Sequence, residues 1–173
     1  MKKILSVLSI LLVAVMMLSL FGCTDDSGKS DKNGSDKNDA AEIVLTDVLA
    51  DINDEFSVSL ENMLTLEKAE DLEDYYRIAP ADVKQFAAQT TKNVATDVTE
   101  IILVEAVDEE AAQRVFDLLQ FRYDSQRDQC ASYSAELLAI INKCTVEIDG
   151  NFVSLIMDAN AKDMVKYYHS CFE

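Results

Sequence analysis

The sequence predicts an α+β domain, a small antiparallel sheet of three or four strands packed against amphipathic helices. Three observations carry that expectation. Apolar residues recur at helical spacing in three separate segments. Ile101, Ile102, Leu103 and Val104 form a continuous run rich in branched side chains. Asp149-Gly150 stands between two apolar alternations, the pattern of a tight hairpin. Striped helices need a layer to cover, and the strands supply it.

In chain order, the first helix is predicted over Ala41–Phe56. Leu45, Val48, Leu49, Ile52 and Phe56 make one stripe, while Asp47, Asp51, Asp54 and Glu55 lie mostly off it. A short acidic helix follows over Leu66–Tyr75. Pro80 is read as opening another helix, because proline fits a first turn and Asp82 suits its positive end. Val83–Thr91 is a weak fourth strand. Thr99–Val107 is the strongest strand and is expected to be covered on both faces. Asp108 reads as an N-cap with Glu109 and Glu110 in the first turn. The helix behind it carries Ala112, Val115, Phe116, Leu119 and Tyr123 on one face. Ser134 caps a further helix through Lys143, and Thr145–Asp158 is the hairpin. The last stripe is Ala161, Met164, Val165, Tyr168 and Phe172.

Ahead of this domain, Lys2-Lys3 precede a charge-free, largely apolar run from Ile4 to Phe21 with three serines in it, which leads into Leu20-Phe21-Gly22-Cys23. Cations, an apolar stretch and a small residue before a cysteine resemble a lipoprotein signal peptide. That resemblance implies cleavage after Gly22 and a diacylglyceryl group on Cys23. Two acyl chains exceed what reversible membrane binding needs. The alternative is an uncleaved anchor, since about 18 apolar residues just span a bilayer. Either reading places the domain on the extracytoplasmic face of the cell membrane. The expected division is a signal peptide over 1–22, a lipidated cysteine with a flexible polar linker over 23–40, and one domain over 41–173. Thr24–Ala40 holds no aromatic or branched aliphatic residue, so it buries nothing to offset the ordering of its chain.

The formal charge of the chain is −17. This argues against a nucleic-acid partner and leaves membrane attachment to the lipid. Besides Cys23 the chain has Cys130, Cys144 and Cys171, an odd set with no Cys-x-x-Cys. They are read as buried small hydrophobes, with one internal pair as the alternative.

Candidate chemistry is sparse. Asp31, Asn33, Ser35, Asp39 and Glu42 mimic calcium-loop spacing, but Asp36 holds the position that needs glycine, so the run reads as linker. His169 is the sole histidine. It lies two residues from Cys171, which is not a shared helix face, and with Lys162 and Lys166 it reads as a solvated stripe. Glu67, Glu70, Asp71, Glu73 and Asp74 form an acidic run, read as a solvated helix face. Tyr75-Tyr76 and Tyr167-Tyr168 are either exposed handles or half-buried core edges. No nucleophile elbow, phosphate loop, dinucleotide fingerprint or spaced zinc set is present in the sequence. No cofactor and no catalytic residue is expected.

Several segments fall in a recognisable order. Thr99-Glu100-Ile101-Ile102-Leu103-Val104 leads into an acidic helix start, and Gln126 follows. Tyr133-Ser134-Ala135-Glu136 and Asp149-Gly150-Asn151-Phe152-Val153 come later. This order resembles the bacterial lipoprotein family described as domain of unknown function 4358, over most of Glu42–Phe172. Ala135 stands where that family commonly has proline, and Phe152 where it has tyrosine. The resemblance implies no activity. The sequence therefore leads to an expectation of a lipid-anchored, non-enzymatic binding or interaction module with a protein or envelope partner. The alternative is a small-ligand-binding lipoprotein working with a membrane transporter.

Overall fold

A computed structural model describes residues 43–173. The lipidation residue Cys23, the polar linker and the calcium-loop-like run from Asp31 to Glu42 lie outside the described residues. Along the chain come α1 (Leu45–Glu55), β1 (Met63–Leu66), α2 (Ala69–Tyr76), β2 (Val83–Thr91), β3 (Glu100–Ala106) and α3 (Glu109–Tyr133). After them come α4 (Ala135–Ile141), β4 (Thr145–Asp149), β5 (Phe152–Met157) and α5 (Ala161–Ser170). The strands form one open antiparallel sheet in the order β1-β2-β3-β5-β4. The α+β class is as expected, but the sheet has five strands instead of three or four.

Met63–Leu66 is the additional strand, and Val83–Thr91, the weak fourth strand, forms as β2. Met63–Leu66 is too short to show a period of two. Val83–Thr91 is polar and alanine-rich, so its own preference for strand is low. It is held by antiparallel partners on both sides, β1 and β3. Pro80 does not open a helix of any length. It starts a single 3-10 turn, Pro80–Asp82, and the chain then extends into β2.

Strand register fixes which helix covers which face. Ala87, Leu103, Ser154 and Glu147 lie directly opposite one another across β2, β3, β5 and β4, so they share a face. Gln85 and Gln89 belong to that face by alternation. Gln85 accepts from the Leu45 amide at 3.0 Å, and Gln89 exchanges hydrogen bonds with Asn53, so α1 packs there. His169 of α5 meets Glu147 on the same side. The opposite face carries Thr90 and Glu100, and α3 covers it. With a layer on each side, β3 is buried along its whole length.

The local signals hold where they are strongest. Asp108 caps α3, its carboxylate accepting from the Ala111 amide at 2.8 Å. Ser134 ends α3 and caps α4 by accepting from the Leu137 amide at 3.2 Å. The hairpin forms, but its turn lies one residue later than Asp149-Gly150: Asp149 is the last residue of β4, paired with Phe152, and Gly150-Asn151 make the loop, with Gly150 at φ +54°.

The α3 face buries a charge. The carboxylate of Glu100 is 3% exposed and receives two hydrogen bonds from Arg122, at 3.0 and 2.8 Å. Thr90 donates a third at 3.2 Å. Gln126, with its amide oxygen turned to Arg122, accepts from both terminal guanidinium nitrogens at 2.7 Å. The guanidinium also lies 5.8 Å from the ring centre of Tyr76. Burial opposes the Arg122 charge, but the hydrogen bonds and charge of Glu100 outweigh it and hold the guanidinium above its ordinary pKa. Burial pushes the Tyr76 phenol up, and the Glu100 charge adds to the shift. This network locks α3 onto the centre of the sheet.

Candidate functional site

A cleft of about 320 Å³ opens beside the β4–β5 hairpin, with α5 as its other wall. Alternation along β4 and β5 turns Glu147, Asp149, Phe152 and Ser154 toward α5. The stripe of α5 brings Tyr168 and Phe172 to meet them, and the cleft reaches around the edge strand β4 to Val146, Ile148 and Phe116 of α3. Phe172 stacks edge-on against Phe152 and against Tyr168, each with ring centres 4.9 Å apart. The cleft is therefore walled by aromatic rings and carries two carboxylates.

His169 lies at its rim, half exposed, with Nε2 2.6 Å from Glu147. Glu147 is its hydrogen-bond partner among the described residues, and the other oxygen of Glu147 accepts from the Thr145 hydroxyl at 3.3 Å. Covalent catalysis requires a nucleophile aligned on the base; the Thr145 hydroxyl is bonded to the carboxylate and not to the imidazole. Tyr168 is 4% exposed. Its hydroxyl is buried with no hydrogen-bond partner. Burial pushes the phenol up, and the nearby Asp149, Cys171 and Glu147 charges add to the shift.

The other sequence candidates scatter. Cys171 faces away from His169, and its thiol donates to the Tyr167 carbonyl at 3.5 Å. Cys130, Cys144 and Cys171 are all free, the first two buried and the third half-buried. Burial raises the Cys144 and Cys171 thiols above the ordinary range. Asp71 of the acidic run accepts from the Glu67 and Lys68 amides at 3.1 and 2.9 Å, which starts α2. Glu67, Glu70, Glu73 and Asp74 are exposed around it. Each tyrosine pair divides: Tyr76 and Tyr168 are buried, Tyr75 is exposed, and Tyr167 is half-buried edge-on to Phe56. Among the described residues, no group of three or more His, Cys, Asp or Glu side chains is placed to hold a metal ion. No described helix is long and apolar enough to cross a membrane.

Residues 56–158 match the family described as Domain of unknown function (DUF4358). The chain belongs to this family. No curated protein matches it, and no solved structure does. The DUF4358 match spans the whole sheet, so Glu147, Asp149 and Phe152 fall inside it. Tyr168, His169 and Phe172 lie beyond its end, and α5 thus adds a wall to the hairpin of the DUF4358 region.

The sequence does not single out the cleft: Asp149 reads as a turn residue with Gly150, Phe152 as part of the hairpin and Phe172 as part of the last helix stripe, and Glu147 carries no signal of its own. The available signal was Glu147 and Asp149 flanking Ile148 on a strand next to a striped helix. Nothing in the sequence states that the polar side of β4 would be met by the aromatic side of α5.

Proposed function

We propose that this chain is a lipid-anchored binding module on the extracytoplasmic face of the cell membrane, without enzymatic activity. In this reading a diacylglyceryl group on Cys23 holds it to the bilayer, and residues 24–40 act as a spacer between lipid and domain. The binding site is the hairpin cleft. The observation that carries the reading is the cleft's make-up, aromatic walls with a few polar groups converging on them, which is the usual composition of a recognition site. The sequence Leu20-Phe21-Gly22-Cys23 supports the anchor.

A second reading, capture of a small ligand for a membrane transporter, draws on the same cleft. A volume of about 320 Å³ suits a small molecule better than a broad protein surface. Two measurements test the proposal. Intact-mass analysis of the native protein should find an acylated chain beginning at Cys23, and Cys23→Ala should release the protein from membranes. A photo-crosslinker placed at Ile148, on the cleft rim, should capture a defined molecule on intact cells. Capturing the same set as an unrelated lipoprotein would overturn the binding reading.

A further inference from the structure

We propose that the hairpin cleft binds a small organic cation, an ammonium group carried on an apolar body. The inference rests on the cleft being the binding site and adds the chemistry of its ligand. Phe116, Phe152, Phe172 and Tyr168 are among the residues that line the cavity. Aromatic faces carry a negative quadrupole that attracts cations while accepting apolar groups. Glu147 and Asp149 line the same space, and neither lysine nor arginine does.

The carboxylates decide between ligand classes. An anion entering the cleft would face both of them. A neutral apolar ligand would strip water from them and return nothing, which is costly for a charge. An ammonium group supplies the missing counter-charge, and its apolar body takes the ring surface. Glu147 already has His169 at 2.6 Å and the Thr145 hydroxyl at 3.3 Å, whereas Asp149 is exposed and its carboxylate makes no hydrogen bond to a described side chain. The net charge of −17 raises the local concentration of cations around the whole molecule. The cavity lies near the lower end of ligand pockets, roughly 300–1,000 Å³, which favours a ligand of about one ring and a short chain.

The test titrates the purified full chain with three probes of one shape: 2-phenylethylammonium, 2-phenylethanol and phenylacetate. Calorimetry gives affinity, and ring resonances of Phe152, Tyr168 and Phe172 locate the site. The ammonium should bind about tenfold or more tighter than the alcohol, with phenylacetate weakest. The paired substitution Glu147→Gln and Asp149→Asn should erase that preference and leave alcohol binding unchanged. Phe152→Leu should weaken ammonium binding several-fold while keeping the apolar volume. If alcohol or phenylacetate shifts the cleft resonances at least as tightly as the ammonium, the cation inference falls and the cleft remains a binding site. If none of the three shifts them, the cation inference fails and the cleft loses its support as the site. Ammonium binding unchanged by loss of both carboxylates would also overturn the inference.

Discussion

Replacing Arg122 with methionine should be among the most damaging single changes in this domain. The side chains have similar stems, so packing along α3 is largely kept, but Glu100 loses its counter-charge. The Glu100 carboxylate is 3% exposed, whereas Arg122 is 28% exposed. The acid therefore cannot turn to water, although the base could. Removing one partner of a buried pair costs about 3–5 kcal/mol, because the remaining charge is left uncompensated. A domain of this size is held by about 5–15 kcal/mol in total. At about 3–5 °C per kcal/mol, the melting temperature should fall by about 10–20 °C. Glu100→Gln should cost less, about 1–2 kcal/mol, since Arg122 can reach solvent. Combining E100Q with R122M should recover most of the loss, because no buried charge remains. Urea and thermal unfolding followed by circular dichroism at neutral pH would measure all three variants. A cost below about 1 kcal/mol for R122M, or simple additivity in the double variant, would refute the claim that an unpaired Glu100 charge is what hurts.

Other consequences follow from the same structure. Asp82 is held below the usual carboxylate range by its hydrogen bonds to Arg114. Burial pushes Asp97 and Glu105 up, but hydrogen bonds from Thr99 in one case and from Lys84 and Gln85 in the other outweigh it, and both end lowered. Lowered folded-state values mean stability that is complete above the unfolded carboxylate pKa of about 4 and is lost as pH falls through the folded values. Denaturant midpoints should therefore drop on acidification below about pH 4, and Glu105→Gln should flatten that dependence; an unchanged slope in the variant would count against Glu105. Asp108→Ala should cost about 1 kcal/mol in urea unfolding through loss of the α3 cap. Under native conditions Cys171 should react with a thiol reagent before Cys144, and both more slowly than in denaturant, since burial holds each as the thiol. Equal native and denatured rates for Cys144 would contradict its burial.

Much of the domain is legible in its sequence wherever the signal is local. The stripes of α1, α3 and α5, the Asp108 and Ser134 caps, the branched run of β3 and the hairpin glycine Gly150 each state their own conformation within a few residues. The order of those segments also points to DUF4358. Pro80 shows the limit of local reading, because its backbone preference serves a 3-10 turn before a strand as well as a helix start. β2 is polar, and only its neighbours on both edges make it a central strand.

By itself the sequence determined the elements whose conformation is set by neighbouring residues, because periodicity, capping and turn chemistry act over one or two turns of chain. The tertiary structure alone decided which faces meet. Strand register put Glu147 on the α5 side and Glu100 on the α3 side. Those pairings join residues 22 positions apart in the chain, a separation at which side-chain identity carries no local signature. The cleft exists because two faces, each readable as ordinary strand and helix, are brought together by the packing of the sheet.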